Sequence, residues 1–160
     1  MKHGMTTQTP GCTIVHAALP DLQDLVPLFD AYRVFYRQPS DPMKAREFMG
    51  ERITRGESII FLARDETSRD ALGFAQLYPA FSSVTARRLW ILNDLYVAEA
   101  ARRRGVARGL METARTHAVN TAAVRLVLQT AHANNAAQAL YESLGYLRVA
   151  GMFEYALECG

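Results

Sequence analysis

Cysteine is scarce in this 160-residue chain: Cys12 and Cys159 are the only two, near opposite ends. That excludes a disulfide framework. No run of about 18 apolar residues occurs, so nothing reads as a membrane span. Residues 1–11 contain Thr, Gln and Pro but no apolar h-region, so they do not read as a secretory signal. Met5 is as good a start as Met1, with Met1–Gly4 then an added extension; a frayed natural terminus explains the same residues equally well. Charge of one sign is also missing. Lys and Arg number 18 and Asp and Glu 16, for a net charge of +2, which gives no general reason to expect a nucleic-acid partner. Free cysteines and the lack of an export signal point to the cytoplasm. No metal is expected either, because His16, His117 and His132 lack ligand spacing and read as structural.

Apolar residues make up 49% and charged residues 21%, as in an ordinary soluble domain. With no linker and no repeat, residues 1–12 read as a flexible N-terminus and 13–160 as one domain. Thr13–His16 is a β-prone run. Leu22, Leu25, Val26, Phe29, Tyr32 and Tyr36 recur at helical spacing, and Pro27 either kinks that helix or begins it. Asp41-Pro42 reads as the N-cap and first position of a second helix that Gly56 ends. Three strands follow: Ser58–Ala63, Ala71–Tyr78 (stopped by Pro79) and Arg88–Val97, an antiparallel meander. The second half alternates: a helix through Val106, Leu110, Ala114 and Ala118, a strand at Val124–Leu128, and a helix through Ala136–Leu144 that Gly145 ends. Tyr146–Val149 and Met152–Leu157 close with strand character. The whole predicts an α/β fold with a mixed sheet and helices on both faces.

The most informative segment is Arg102-Arg103-Arg104-Gly105-Val106-Ala107-Arg108, between a strong strand and an amphipathic helix. A helix start offers unpaired N–H groups and a partial positive charge, which together suit a phosphate. Gly105 and Ala107 let an anion approach the main chain, and the arginines add charge-assisted contacts. A solvated charge run or a nucleic-acid patch would look similar in isolation. The flanking strand and helix favour the anion site. The Walker ending and the three-glycine dinucleotide spacing are both absent.

Arg102-x-x-Gly105-x-Ala107 resembles the Q/R-x-x-G-x-G/A motif of the GNAT N-acetyltransferase family. A second signature lies about 30 residues on: Asn134-x-x-Ala137-x-x-Leu140-Tyr141-x-x-x-Gly145-Tyr146. The strand end Leu92–Val97 fits too, and the element order agrees from about Thr13 to Leu157. The resemblance implies a mixed sheet of about seven strands, splayed at its centre, with about four helices. It implies acetyl-coenzyme A as cofactor, its pantetheine arm on main-chain groups around Leu95, Tyr96 and Val97. Arg102 to Arg104, Gly105, Val106, Ala107 and Arg108 would hold the pyrophosphate, and Asn134 would contact the cofactor arm.

By the same resemblance Tyr141 is the general acid that protonates the departing thiolate. A phenol with an ordinary pKa of about 10 suits a thiol of about 8.5; an apolar-face core tyrosine is the alternative. Asp94 is the nearest candidate to take the amine's proton, with a strand-end hydrogen-bonding role as its alternative. Tyr32, Tyr36, Tyr78 and Asn93 are candidate substrate residues. Polyamine-type relatives tend to carry a glutamate where this chain has Asn93, which weighs against a polyamine. The expected acceptor is the primary amine of a small molecule, polyamine-like or amino-acid-like, acetylated directly in a ternary complex. A protein or peptide acetyltransferase and a non-catalytic acyl-coenzyme A module are the alternatives; nucleic acid and membrane are not expected partners, and a homodimer stays open.

Overall fold

The computed structural model describes residues 8–151 and 155–159. They fall into two compact units, one ending at Gln129 and one starting at Thr130.

The first unit holds a six-stranded sheet in sequence order: β1 (Gln8–Thr9), β2 (Cys12–His16), β3 (Ile59–Asp65), β4 (Ala71–Ser82), β5 (Arg87–Val97) and β6 (Leu126–Val127). Neighbours pair antiparallel except β5 with β6, which is parallel. That reversal follows from the crossover through α3 (Val106–Asn120), since a parallel neighbour needs a helix-length connection.

Alternation along the strands sorts side chains onto two layers. Ile60, Leu62 and Phe74 pack with Leu25, Val26, Leu28 and Phe29 of α1 (Leu22–Phe35) and with Ala45 and Met49 of α2 (Pro42–Thr54). On the opposite face Phe61 and Trp90 meet His117 of α3 edge-on, at 5.7 and 4.8 Å between rings. Helices therefore cover both faces. Asp41 caps α2 by accepting the Lys44 N–H at 3.0 Å, with Pro42 at the first position, as the sequence predicts.

The α/β class and the GNAT fold hold, and the differences are local. Pro27 lies inside one continuous α1 rather than starting it. Pro79 does not stop β4, which runs on to Ser82: β3 pairs no further than Leu77, so the missing N–H of Pro79 deprives no neighbour. Gln8, Thr9 and Cys12, within the stretch read as a flexible terminus, are strand residues: β1 pairs with β2 and packs Thr9 against Gly109, where a Cβ would leave it no room. The sheet has six described strands against about seven expected. Residues 146–150 and 155–159 form no regular element, and Met152–Glu154 lie outside the described residues.

The second unit contains α4 (Asn135–Ser143). Arg148 ties the chain after it back to the helix, donating to Glu142 at 2.6 Å and to Gln138 at 3.1 Å.

Candidate functional site

A bulge in β5 sets the geometry of the site. Gln76 pairs with Asp94 while Leu77 pairs with Leu92, so Asn93 is an extra residue on β5. An inserted residue reverses which groups face each neighbour beyond it. Before the bulge, the Trp90 N–H points toward β6 and donates to the Arg125 carbonyl at 3.1 Å. After it, the Ala98 N–H donates to the Leu72 carbonyl of β4 at 2.9 Å. Alternation then turns the main-chain groups of Leu95 and Val97 away from β4. The paired register with β6 ends at Ile91, so this edge is the opening of the splayed sheet. The Arg102 guanidinium Nε donates to the Val97 carbonyl at 3.2 Å.

The chain then passes through a short 3-10 turn, Glu99–Ala101, into the arginine loop. Arg103 has φ of +61° and Gly105 of +81°. Left-handed residues on either side of Arg104 curl the main chain, a geometry whose successive N–H groups form anion-binding concavities. Gly105 is also the N-cap of α3, with no side-chain cap and no acid in the first turn. Gly105 thus offers no side chain to the start of α3, and a helix start of this kind suits an anion. Arg104 points elsewhere: it bridges to Asp65 at the end of β3, at 2.8 Å, and anchors the loop to the sheet. The Asp65 carboxyl is lowered to about 2, first by that guanidinium and then by the N–H groups of Ser68 and Thr67. These features fit a cofactor carrying phosphates and an amide-bearing arm.

The same bulge carries Asp94 onto the α1 face. Its carboxylate is buried, with 3% of the residue exposed. It accepts from the Gln76 amide and from Asn93 Nδ2, the latter at 3.0 Å, and the Tyr32 phenol lies within reach of its charge. Gln76, fully buried on β4, donates at 3.2 Å to the Tyr78 hydroxyl as well, and its carbonyl accepts from Ser58 Oγ at 2.8 Å. Burial, and then the Asp94 charge, hold Tyr32 far above the usual phenol range and push Tyr78 up to about 12. Both phenols stay protonated donors at neutral pH. Tyr36 lies against Tyr32, its ring tilted by 60° at 4.9 Å, and is about half exposed, at 53%. A cleft of about 670 Å³ opens beside Tyr96 and Arg102, walled by Val26, Val34 and Phe35 of α1 with Asp30 among its lining. The Asp30 carboxylate holds the α1–α2 loop there, accepting from Ser40 Oγ and the Asp41 N–H at 2.6 and 2.7 Å.

Asp94, Asn93, Tyr32 and Tyr78 are thus brought together. Ser58 and Gln76 were not singled out, although a glutamine amid the apolar run Ala71–Leu77 is the signal that could have found them. In the second unit Asn134 caps α4, its side-chain oxygen accepting the Ala137 N–H at 3.3 Å. Tyr141 lies on α4, half-buried, its ring 6.1 Å from that of Tyr146.

The model of the acetyltransferase (GNAT) family matches residues 23–146. The uncharacterised N-acetyltransferase YhfO of Bacillus subtilis is 42% identical over 144 residues, 90% of this chain and 95% of that protein. A crystal structure of a probable acetyltransferase superposes with a TM-score of 0.87 at 45% identity, covering 92% of this chain and 97% of that one. The D-amino-acid N-acetyltransferase HPA3 of Saccharomyces cerevisiae is 36% identical over 85 residues, 53% of each chain.

Proposed function

Given that the chain belongs to the GNAT family of acetyltransferases, we propose that this acyltransferase acetylates the primary amine of a small molecule, by direct transfer from acetyl-coenzyme A in a ternary complex. The observation that carries the reading is Asp94: a buried carboxylate with no ion pair among the described residues, one position from the open edge of β5. Burying a charge without a counter-ion is costly, and an amine acceptor arrives carrying the missing cation. An amino-acid-like acceptor is favoured over a polyamine, both by Asn93 and by the similarity to a D-amino-acid acetyltransferase over half of the chain.

Acetyl-coenzyme A supplies an activated thioester. The chain's own groups do the rest. Main-chain groups of Leu95, Tyr96 and Val97 bind the pantetheine arm. The turn from Arg102 to Arg108 takes the phosphates, and Asn134 steadies the arm beside the start of α4. Asp94 takes one proton from the arriving ammonium, which frees the nitrogen lone pair to form the new C–N bond, and the second N–H proton passes to solvent as the amide forms. Tyr141 donates its phenolic proton to the sulfur as the C–S bond breaks, and the two protonation states are restored through solvent. Tyr32, Tyr36 and Tyr78 line the acceptor's approach. Residues 13–160 act as one catalytic domain, which the family match over 23–146 supports. The free Cys12 and Cys159 agree with a cytoplasmic setting, and no described helix is long and apolar enough to cross a membrane.

Thiol release from acetyl-coenzyme A, measured against free amino acids, polyamines, aminoglycosides and peptide N-termini, tests the reading. Turnover with a small amine is expected. Turnover with peptides alone makes the chain a peptide acetyltransferase, and binding of acetyl-coenzyme A without turnover of any amine makes it a binding module.

A further inference from the structure

The geometry points to Ser58 and Gln76 as a buried positioning relay that fixes the Asp94 carboxylate and the Tyr78 hydroxyl together for the acceptor amine; this rests on the role given to Asp94 above.

A glutamine amide has two faces, and nothing in its shape decides which carries the oxygen. Here the surroundings decide. Asp94, an acceptor only, requires the NH2 group on its side, which also reaches Tyr78; the oxygen then faces Ser58, whose Oγ donates to it at 2.8 Å. Both N–H donors are then used, one on each partner. Gln76 is fully buried and Ser58 nearly so, so water does not compete for these bonds.

A carboxylate offers about four acceptor positions. Gln76 fills one on Oδ2 and Asn93 one on Oδ1. One position on each oxygen is left for an N–H of the acceptor. On Tyr78, the bond from Gln76 takes an oxygen lone pair and leaves the O–H free to turn toward an acceptor's polar group. If the amide turned over, its carbonyl would face a carboxylate and a phenol oxygen, and Asp94 would lose a donor. The hydroxyl of Ser58, remote from the reacting atoms, supplies the donor that the buried Gln76 carbonyl needs, and so holds the amide against the group that takes the proton.

The test compares Ser58→Ala and the hydroxyl-retaining Ser58→Thr with the parent chain. Three quantities are measured: the melting-temperature gain on acetyl-coenzyme A, the 15N side-chain signal of Gln76 with and without Asp94→Asn, and thiol release with ethylamine as a minimal acceptor. In the parent, the Gln76 signal is expected to move when Asp94 is replaced. Ser58→Ala should keep the cofactor's melting-temperature gain, uncouple the Gln76 signal from Asp94, and lower kcat roughly tenfold with KM for acetyl-coenzyme A unchanged. Ser58→Thr should restore both rate and coupling. An Ala variant with the parent's Gln76 coupling and rate overturns the relay. A parent that releases no thiol with ethylamine counts against the amine reading of the site, and the Gln76 coupling in Ser58→Ala then decides the relay by itself. Should Ser58→Ala fold poorly, the parent's Gln76 signal still decides: one that ignores Asp94→Asn removes the relay.

Discussion

The two halves of β5 differ less in composition than in company. From Arg87 to Ile91 the strand has β4 on one side and the β6 segment on the other. From Leu92 to Val97 it keeps β4 and leaves β6 behind. The first half is sheet interior, with Trp90 packed on His117 and its indole N–H on Thr121 Oγ1 at 2.8 Å. The second half presents main chain along one edge and Asp94 on the α1 face. The single extra residue at Asn93 produces both effects. It turns the Leu95 and Val97 groups to the open side and swings Asp94 off the α3 face, onto the side of Tyr32. In the reading proposed above, the cofactor half of the site is built mostly from main chain, and the acceptor half from side chains. That division predicts which substitutions separate binding from turnover.

The largest effect is expected from damage to the main-chain half. Gly105→Glu places a carboxylate where the phosphates belong, at a φ of +81° that a side chain tolerates poorly. At a hundredfold excess over Kd, acetyl-coenzyme A stabilises the parent by about 2.7 kcal/mol, or about 5–10 °C in Tm for a chain of this size. The variant should show no such gain, and a gain equal to the parent's would place the phosphates elsewhere.

Damage to the side-chain half should leave that gain intact. Asp94→Asn keeps the shape and removes the charge and the proton acceptor, so kcat should fall about 100-fold or more. A fall in acetyl-coenzyme A affinity instead would mean that the two halves do not separate. Tyr141→Phe should cost less, about tenfold in kcat, because a thiol with a pKa of about 8.5 needs less help to leave than an alkoxide. Unchanged turnover would return Tyr141 to a packing role.

The smallest effect concerns the Arg104 anchor. Asp65, held at about 2, lies below its unfolded value of about 3.9. Its contribution is therefore complete above about pH 4 and is lost as pH falls toward 2. Arg104→Ala should flatten that acid limb of the Tm–pH curve, modestly because the pair is half exposed. Superimposable acid limbs in the two proteins would show that Arg104 does not hold the loop.

Much of this division was legible in the sequence. Asp41-Pro42 announced a helix start, and Arg102 to Ala107 announced a turn from strand into helix, because both use local chemistry that adjacent residues carry. Pro79 misled because whether a proline breaks a strand depends on the neighbour's length, and β3 happens to end at Leu77. The bulge at Asn93 was invisible for the same reason: one extra residue shows only against the strand it fails to match. Asp94, Tyr32 and Tyr78 were each named, but their meeting required Gln76. Only the register of β4 against β5 places that residue opposite Asp94.

Main-chain hydrogen exchange, residue by residue, with and without acetyl-coenzyme A, tests the central claim most directly. The amides of Leu95, Val97, Val106, Ala107 and Arg108 should gain protection on binding, while that of Trp90, already bonded to Arg125, should not change. Protection spread evenly along β5, or absent from Leu95 and Val97, would contradict the account.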